Sequence, residues 1–243
     1  MMDSRLFRDL RITGEVVDRQ LEKWNALQQA TREKQRKIPA AVFRFVTIAR
    51  DNGGLADEVA QELGRRLGWH VFDREIVSYI ARESNVRENL VKQLEETTQN
   101  AVEGILSTFL QTLEHGFIGN LEYHKSLVKT LAYLAKSGSC IIVGRGANFV
   151  LRKDTEGVNV RITASPETRI QRISKSMNIT LEEARHHMQA DDEERRRFIR
   201  QYYRQDFENA EFYDAVFNTD RMSVKRVASA IMCLMNPLPE VRD

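Results

Sequence analysis

The 243-residue sequence has only two cysteines, four prolines and no long apolar run, and each scarcity excludes something. Cys140 and Cys233 lie far apart, with no second Cys or His at metal-ligand spacing beside either, so neither a disulfide framework nor a zinc site organises the chain. No apolar stretch approaches the roughly 18 residues of a membrane span, and the opening residues Met1 to Asp9 carry acids where a signal core is apolar. A cytoplasmic location, with no membrane partner, is the expectation. Charge of one sign is lacking too. The 37 Lys+Arg are balanced by 35 Asp+Glu, leaving a net +2, whereas a general polyanion binder needs a cationic surplus to displace counterions. Nucleic acid is therefore not an expected partner.

What is present is a composition of 42% apolar and 30% charged residues, enough for a sizeable core in one large domain, or in one domain with an extension. Residues 1–40 read as a helical arm. Leu10, Val17, Leu21, Trp24 and Leu27 recur at spacings of three, four or seven, ahead of a basic run at Arg32, Lys34, Arg36 and Lys37. The stripe is expected to pack on the body or on a second subunit; left exposed, it would favour a homodimer.

Short β-rich runs then alternate with helical ones. The runs are Val42 to Ala49, His70 to Phe72, Cys140 to Val143, Val158 to Thr163 and Ala215 to Phe217. Several have too few polar positions to face water on either side, which predicts a parallel sheet covered by helices on both faces. Ligands of such sheets bind at the carboxyl ends of the strands. Ser165-Pro166-Glu167 and Thr180-Leu181-Glu182-Glu183 carry helix-start chemistry, and residues 86–137 form a mainly helical insertion.

Three strand ends carry candidate chemistry. After the first strand, Arg50-Asp51-Asn52-Gly53-Gly54-Leu55-Ala56-Asp57 reads as strand, tight turn and helix start, the layout of a phosphate-binding loop and also of an ordinary turn. The second strand delivers Asp73 and Arg74, which suit an anion pocket or, more plainly, a helix cap and a surface ion pair. The third runs into Gly144-Arg145-Gly146, placing a guanidinium where bidentate phosphate recognition is possible. Further on, Asp191, Asp192 and Glu193 precede Arg195, Arg196 and Arg197 by four residues each. Helix-stabilising pairs of about 0.2–0.5 kcal/mol apiece explain that run, and an arginine-bearing lid is the alternative. His186 and His187 are adjacent, hence not a metal pair but surface residues.

Taken in order, these segments resemble the cytidylate kinase-like family of P-loop nucleoside monophosphate kinases, from about Phe43 to Met232. The matching stretches are Phe45-Val46-Thr47-Ile48-Ala49-Arg50 with its glycine turn, Gly68 to Ile76, Ile141 to Asn148, the Ala164-Ser165-Pro166-Glu167 helix start, Arg195 and Arg197 with Tyr202 beyond, and Tyr213 to Thr219. The resemblance implies a three-layer α/β fold with a five-stranded parallel sheet, in a domain spanning 41–236. Residues 86–137 would be its monophosphate-binding insertion, about 180–210 its lid and 237–243 a tail. It also implies transfer of phosphate from Mg-ATP to CMP or a similar monophosphate. On that pattern Asn52, Gly53, Gly54, Leu55, Ala56 and Asp57 hold the donor phosphates, Arg145 grips the acceptor phosphate, Asp73 and Arg74 line the acceptor pocket, and Arg195 and Arg197 close from the lid. Such chemistry needs positioning and charge neutralisation more than covalent help.

The departures from the pattern lie in the loop. Ala56 stands where relatives have the phosphate lysine, a loss of about 10²- to 10³-fold if nothing replaces it. Leu55 replaces a glycine, at about 1–2 kcal/mol if the backbone there is left-handed. Asp57 would repel a phosphate 5 Å away by about 3 kcal/mol at an effective dielectric of 20, unless it ligates the magnesium ion. Gly146 replaces an aspartate of true cytidylate kinases, which weakens the case for cytosine. Arg50 or Arg74 could supply the missing cation. The rival expectation is a regulatory pseudokinase that keeps the fold and uses its N-terminal helix to recruit a partner.

Overall fold

A computed structural model of the protein describes residues 14–35, 43–83, 96–111 and 120–235. Leu10, Arg36, Lys37, Val42, parts of the insertion and the tail 237–243 lie outside the described residues. In chain order the elements are α1 (Gly14–Gln35), β1 (Phe45–Arg50), α2 (Ala56–Leu67), β2 (His70–Phe72), α3 (Arg74–Arg82), α4 (Glu96–Gln111) and α5 (Leu121–Ser137). They continue with β3 (Cys140–Val143), α6 (Ala147–Val150), β4 (Gly157–Thr163), α7 (Pro166–Met177), α8 (Leu181–Tyr203), a 3₁₀ turn at Ala210–Phe212, β5 (Ala215–Asn218) and α9 (Val224–Met235).

The five strands form one parallel sheet in the order β2-β3-β1-β4-β5. Its strands look uniformly apolar because each face is buried in a different core. Phe45, Ala49, Cys140 and Ile142 face one core with α3, α5 and α6; Val46, Ile48, Ile141, Val143, Val160 and Ile162 face the other with α2 and α9. Period-2 alternation therefore exists in space but not in hydropathy. Gly157 opens β4 opposite Phe45, and a Cβ there would lie 2.0 Å from the Phe45 ring, so only glycine admits the aromatic residue.

The arm joins the first core. Val17, Leu21 and Trp24 are buried, and Trp24 meets Phe72 edge-on at 5.2 Å. The stripe thus packs on the body of its own chain, and the argument from an exposed stripe to a homodimer lapses. The helix starts follow their sequence signals. Ser165 caps α7 with Pro166 at the first position, and Thr180 and Glu183 form a reciprocal capping box on α8. Among the described residues no helix is long and apolar enough to cross a membrane.

Behind α8, the His124 ring is buried between Tyr202, 5.1 Å away at 7°, and Phe109, 5.3 Å away at 29°. Burial pushes its pKa from the ordinary 6.5 down to about 4. The unfolded chain therefore takes up this proton first as pH falls. His124's contribution is full above about pH 6.5 and is lost between there and about pH 4, at up to about 1.4 kcal/mol per pH unit. Urea unfolding from pH 7.5 to 4.5 should show this slope, and His124→Phe should flatten it.

Candidate active site

At the carboxyl edge of the sheet, β3 ends in a tight turn whose three residues all have positive φ: Gly144 at 77°, Arg145 at 54° and Gly146 at 70°. A non-glycine residue in the left-handed region is uncommon, and here it lifts the Arg145 side chain off the sheet edge toward α8. The turn is locked from the lid side, where the Tyr203 hydroxyl donates to the Arg145 carbonyl oxygen. A Cβ at Gly146 would lie 2.1 Å from a carbon of the buried Tyr203 ring. Gly146→Ala is expected to destabilise by at least about 2 kcal/mol, combining left-handed strain with displacement of the ring. A thermal melt of the variant checks this.

Over the edge lies a cavity of about 70 Å³, to which Arg50, Arg74, Arg145 and Arg195 all contribute, with Asp191 and Glu194 opposite. At about 30 Å³ per water it has room for roughly two waters or one phosphate-sized anion. Arg145 donates from Nε to the Arg74 carbonyl oxygen at 3.3 Å, and its guanidinium stacks 5.3 Å from the Phe198 ring centre. Burial lowers the pKa of both Arg145 and Arg195, and Arg74 lowers that of Arg145 further, because guanidinium groups gather here in a poorly solvated place. Arg50, Arg74 and Arg195 each have a carboxylate partner, whereas Arg145 donates only to a backbone carbonyl among the described residues, which leaves its guanidinium available to bind and orient an anion.

The flanking candidates divide. Asp73 is the N-cap of α3, accepting from the Ile76 amide at 2.8 Å, with its pKa raised by burial; it does not line the cavity. Arg74 lines the cavity while pairing with Glu75. Arg197 sits on the exposed side of α8 and is not brought to the cavity, whereas Arg195 is. His186 and His187 are exposed.

The loop from Asn52 to Asp57 is held from behind. Arg169 Nε donates to the Asn52 carbonyl oxygen at 2.6 Å, Arg172 Nη1 to that of Gly53 at 3.0 Å, and Thr219 Oγ1 to that of Gly54 at 3.0 Å. The Gly54 amide closes a turn on Asp51, 2.9 Å away. Gly53 has φ 77°, and Leu55 is left-handed at φ 65° with no side-chain cap, so the leucine bears the strain that a glycine would avoid. The amides of Leu55, Ala56 and Asp57 meet no acceptor among the described residues. Carbonyls are turned back and amides left unsatisfied, which is the polarity of an anion-binding loop. The Asp57 carboxylate, in the first turn of α2, is paired with Arg50 across the mouth of this loop.

The lid pairs differ from the i,i+4 ladder expected of its sequence. Asp192 accepts from Arg169 through both oxygens at 2.7 Å and from Arg195 at 2.9 Å, while Arg196 pairs with Glu208 at 2.8 Å. The reason is burial. Arg169 is only 6% exposed, and a charge removed from water needs a partner far more than a solvated helix pair does. The Asn52 amide also donates to Asp191, tying loop and lid together. Sequence reasoning missed Arg169, Arg172, Thr219 and the Asp51–Arg161 pair at 3.1 Å that lies beneath the loop. The available signal was the i,i+3 spacing of Arg169 and Arg172 in the first turns of a capped helix.

Comparison with known proteins bears on the family and the fold. The cytidylate kinase-like family matches residues 45–221. A cytidylate kinase of Methanothrix thermoacetophila is 31% identical over 105 residues, 43% of this chain and 59% of its own length. One from Sulfurisphaera tokodaii is 27% identical over 117 residues, 48% of this chain and 65% of its own. The matches thus span less than two thirds of either relative. The crystal structure of an uncharacterized protein from Eubacterium ventriosum superposes with a TM-score of 0.61 at 15% identity, covering 79% of this chain and 97% of that one.

Proposed function

Since the chain belongs to the cytidylate kinase-like family, we propose that it transfers a phosphoryl group from Mg-ATP to CMP or a similar nucleoside monophosphate. The observation that carries this reading is the convergence of Arg50, Arg74, Arg145 and Arg195 on one anion-sized cavity at the carboxyl edge of the sheet. In this reading Arg145 holds the acceptor phosphate and Arg195, from the lid, neutralises charge spreading over the transferring group. The unsatisfied amides of Leu55 to Asp57, with Arg50, take the donor phosphates. Phosphoryl transfer asks for that division, namely in-line positioning and fixed positive charge in a site that excludes water. Arg197 is left without a direct role.

The residues present fit a nucleotide-borne magnesium ion. Asp57 is a half-exposed carboxylate beside the loop amides, and among the described residues no group of three or more His, Cys, Asp or Glu could hold a metal ion alone. One protein carboxylate plus phosphate oxygens is the usual arrangement, and the ion would offset phosphate charge that the missing lysine does not.

One observation favours a second reading, a binding protein without turnover. Among the described residues each cation beside the donor loop is already engaged: Arg50, which lines the cavity, pairs with Asp57, while Arg169 and Arg172 hold loop carbonyls from behind. Purified protein given Mg-ATP with CMP, dCMP or UMP separates the two. A nucleoside diphosphate accumulating in proportion to protein supports the kinase; none above background at high protein concentration removes it.

A further inference from the structure

The loop has two features that would hold the first anionic group of a donor: unsatisfied amides at the start of α2, and the Arg50 guanidinium at the end of β1. Asp57 reaches both. As the second residue of a 12-residue helix its carboxylate compensates the positive helix terminus, and its side chain spans the loop mouth to pair with Arg50. We infer that Asp57 is an internal stand-in for the donor phosphate, so that it sets the affinity of the loop for polyphosphate by competing for Arg50.

The exposures of the two groups fit this exchange. The Asp57 side chain is 56% exposed and can swing into water, whereas that of Arg50 is 23% exposed and stays at the cavity wall. An incoming phosphate meets a cation held in place and a carboxylate free to leave. Of the other acids near the pair, Glu75 is engaged by Arg74, Asp73 by the Ile76 amide and Asp191 by the Asn52 side-chain amide, while Glu194 lines the same cavity from the lid; among the described residues the one ion pair of Arg50 is with Asp57. Arg50 also faces Arg74, Arg145 and Arg195 around one small cavity; Arg74 and Arg195 have their own carboxylates, Glu75 and Asp192, and Asp57 is the one paired with Arg50. The cation of this loop thus stands at the strand end, at Arg50, and the acid at Asp57 covers it.

The inference rests on the nucleotide-kinase reading for its choice of donor, so its test uses an anion rather than turnover. Inorganic tripolyphosphate, without magnesium, is titrated calorimetrically against the full chain, Asp57→Asn, and Arg50→Gln/Asp57→Asn, each first shown to unfold cooperatively. Asp57→Asn should bind about ten- to a hundredfold more tightly than the unaltered chain, and the double variant should lose that gain. Equal or weaker binding by Asp57→Asn overturns the inference, as does a gain that persists without Arg50. Tight binding by Asp57→Asn, with no nucleoside diphosphate formed by the unaltered chain, would remove the kinase reading and leave this one standing. Turnover with no gain in binding would do the reverse.

Discussion

Asp192→Ala is expected to cost about 3–5 kcal/mol of folding stability, the range for stripping one partner from a buried ion pair. Arg169 is 6% exposed and gives Asp192 two contacts of 2.7 Å; without them its charge keeps only the Asn52 carbonyl oxygen as acceptor. The loss also frees Arg195, held by the same carboxylate at 2.9 Å, so lid and loop should loosen together. Urea unfolding at pH 7 measures the effect as a fall in midpoint at unchanged slope. A cost below 1 kcal/mol would mean that water reaches Arg169. Replacing both partners with apolar residues of similar volume, Arg169→Met with Asp192→Leu, should recover most of the loss, because the penalty comes from the orphaned charge.

If the chain is the proposed monophosphate kinase, Arg145→Gln is expected to lower kcat/KM for the monophosphate by about 10²- to 10³-fold, or about 3–4 kcal/mol of transition-state stabilisation, with little effect on folding. The guanidinium lines the cavity and, among the described residues, donates only to the Arg74 carbonyl oxygen, at the long distance of 3.3 Å. The structural bond of this residue, from the Tyr203 hydroxyl, goes to its backbone oxygen and survives substitution. Steady-state kinetics beside a thermal melt separates the two roles. Arg145→Lys keeps the charge but not the planar fork, and should recover only part of the activity. A large loss of stability in Arg145→Gln would reassign the residue to packing.

The sheet was legible in the sequence because its strands are buried on both faces. Continuous apolar runs such as Cys140 to Val143 have few other uses in a soluble chain, and the boundaries shift only at the ends, where Arg50 and Asn218 continue strands beyond their apolar residues. The caps at Ser165 and Thr180 were legible because capping is local. The ion pairs of the lid were not. Asp192 has partners at sequence separations of 23 and 3, and which one matters depends on how α7 crosses α8. The same holds at the loop. Its missing lysine is visible in the sequence, but the sequence says nothing of Arg169 and Arg172 gripping its carbonyls from a helix more than 110 residues away, or of Asp57 folding back on Arg50. Gly146 is a further case, since its need to be glycine comes from a tyrosine 57 positions later.

The strand order also governs the birth of the molecule on the ribosome. β1 is the centre of the sheet, yet both its neighbours, β3 and β4, begin at residues 140 and 157. At roughly 5–20 residues per second, about 5–20 s of synthesis separate the end of β1 from the first strand that can pair with it. Through that interval the nascent chain carries Phe45-Val46-Thr47-Ile48-Ala49 with both edges open, a short, β-prone and almost uncharged stretch of the kind that self-associates. Overproduction should therefore favour inclusion bodies over soluble protein, and slower translation or a holding chaperone should shift the yield back.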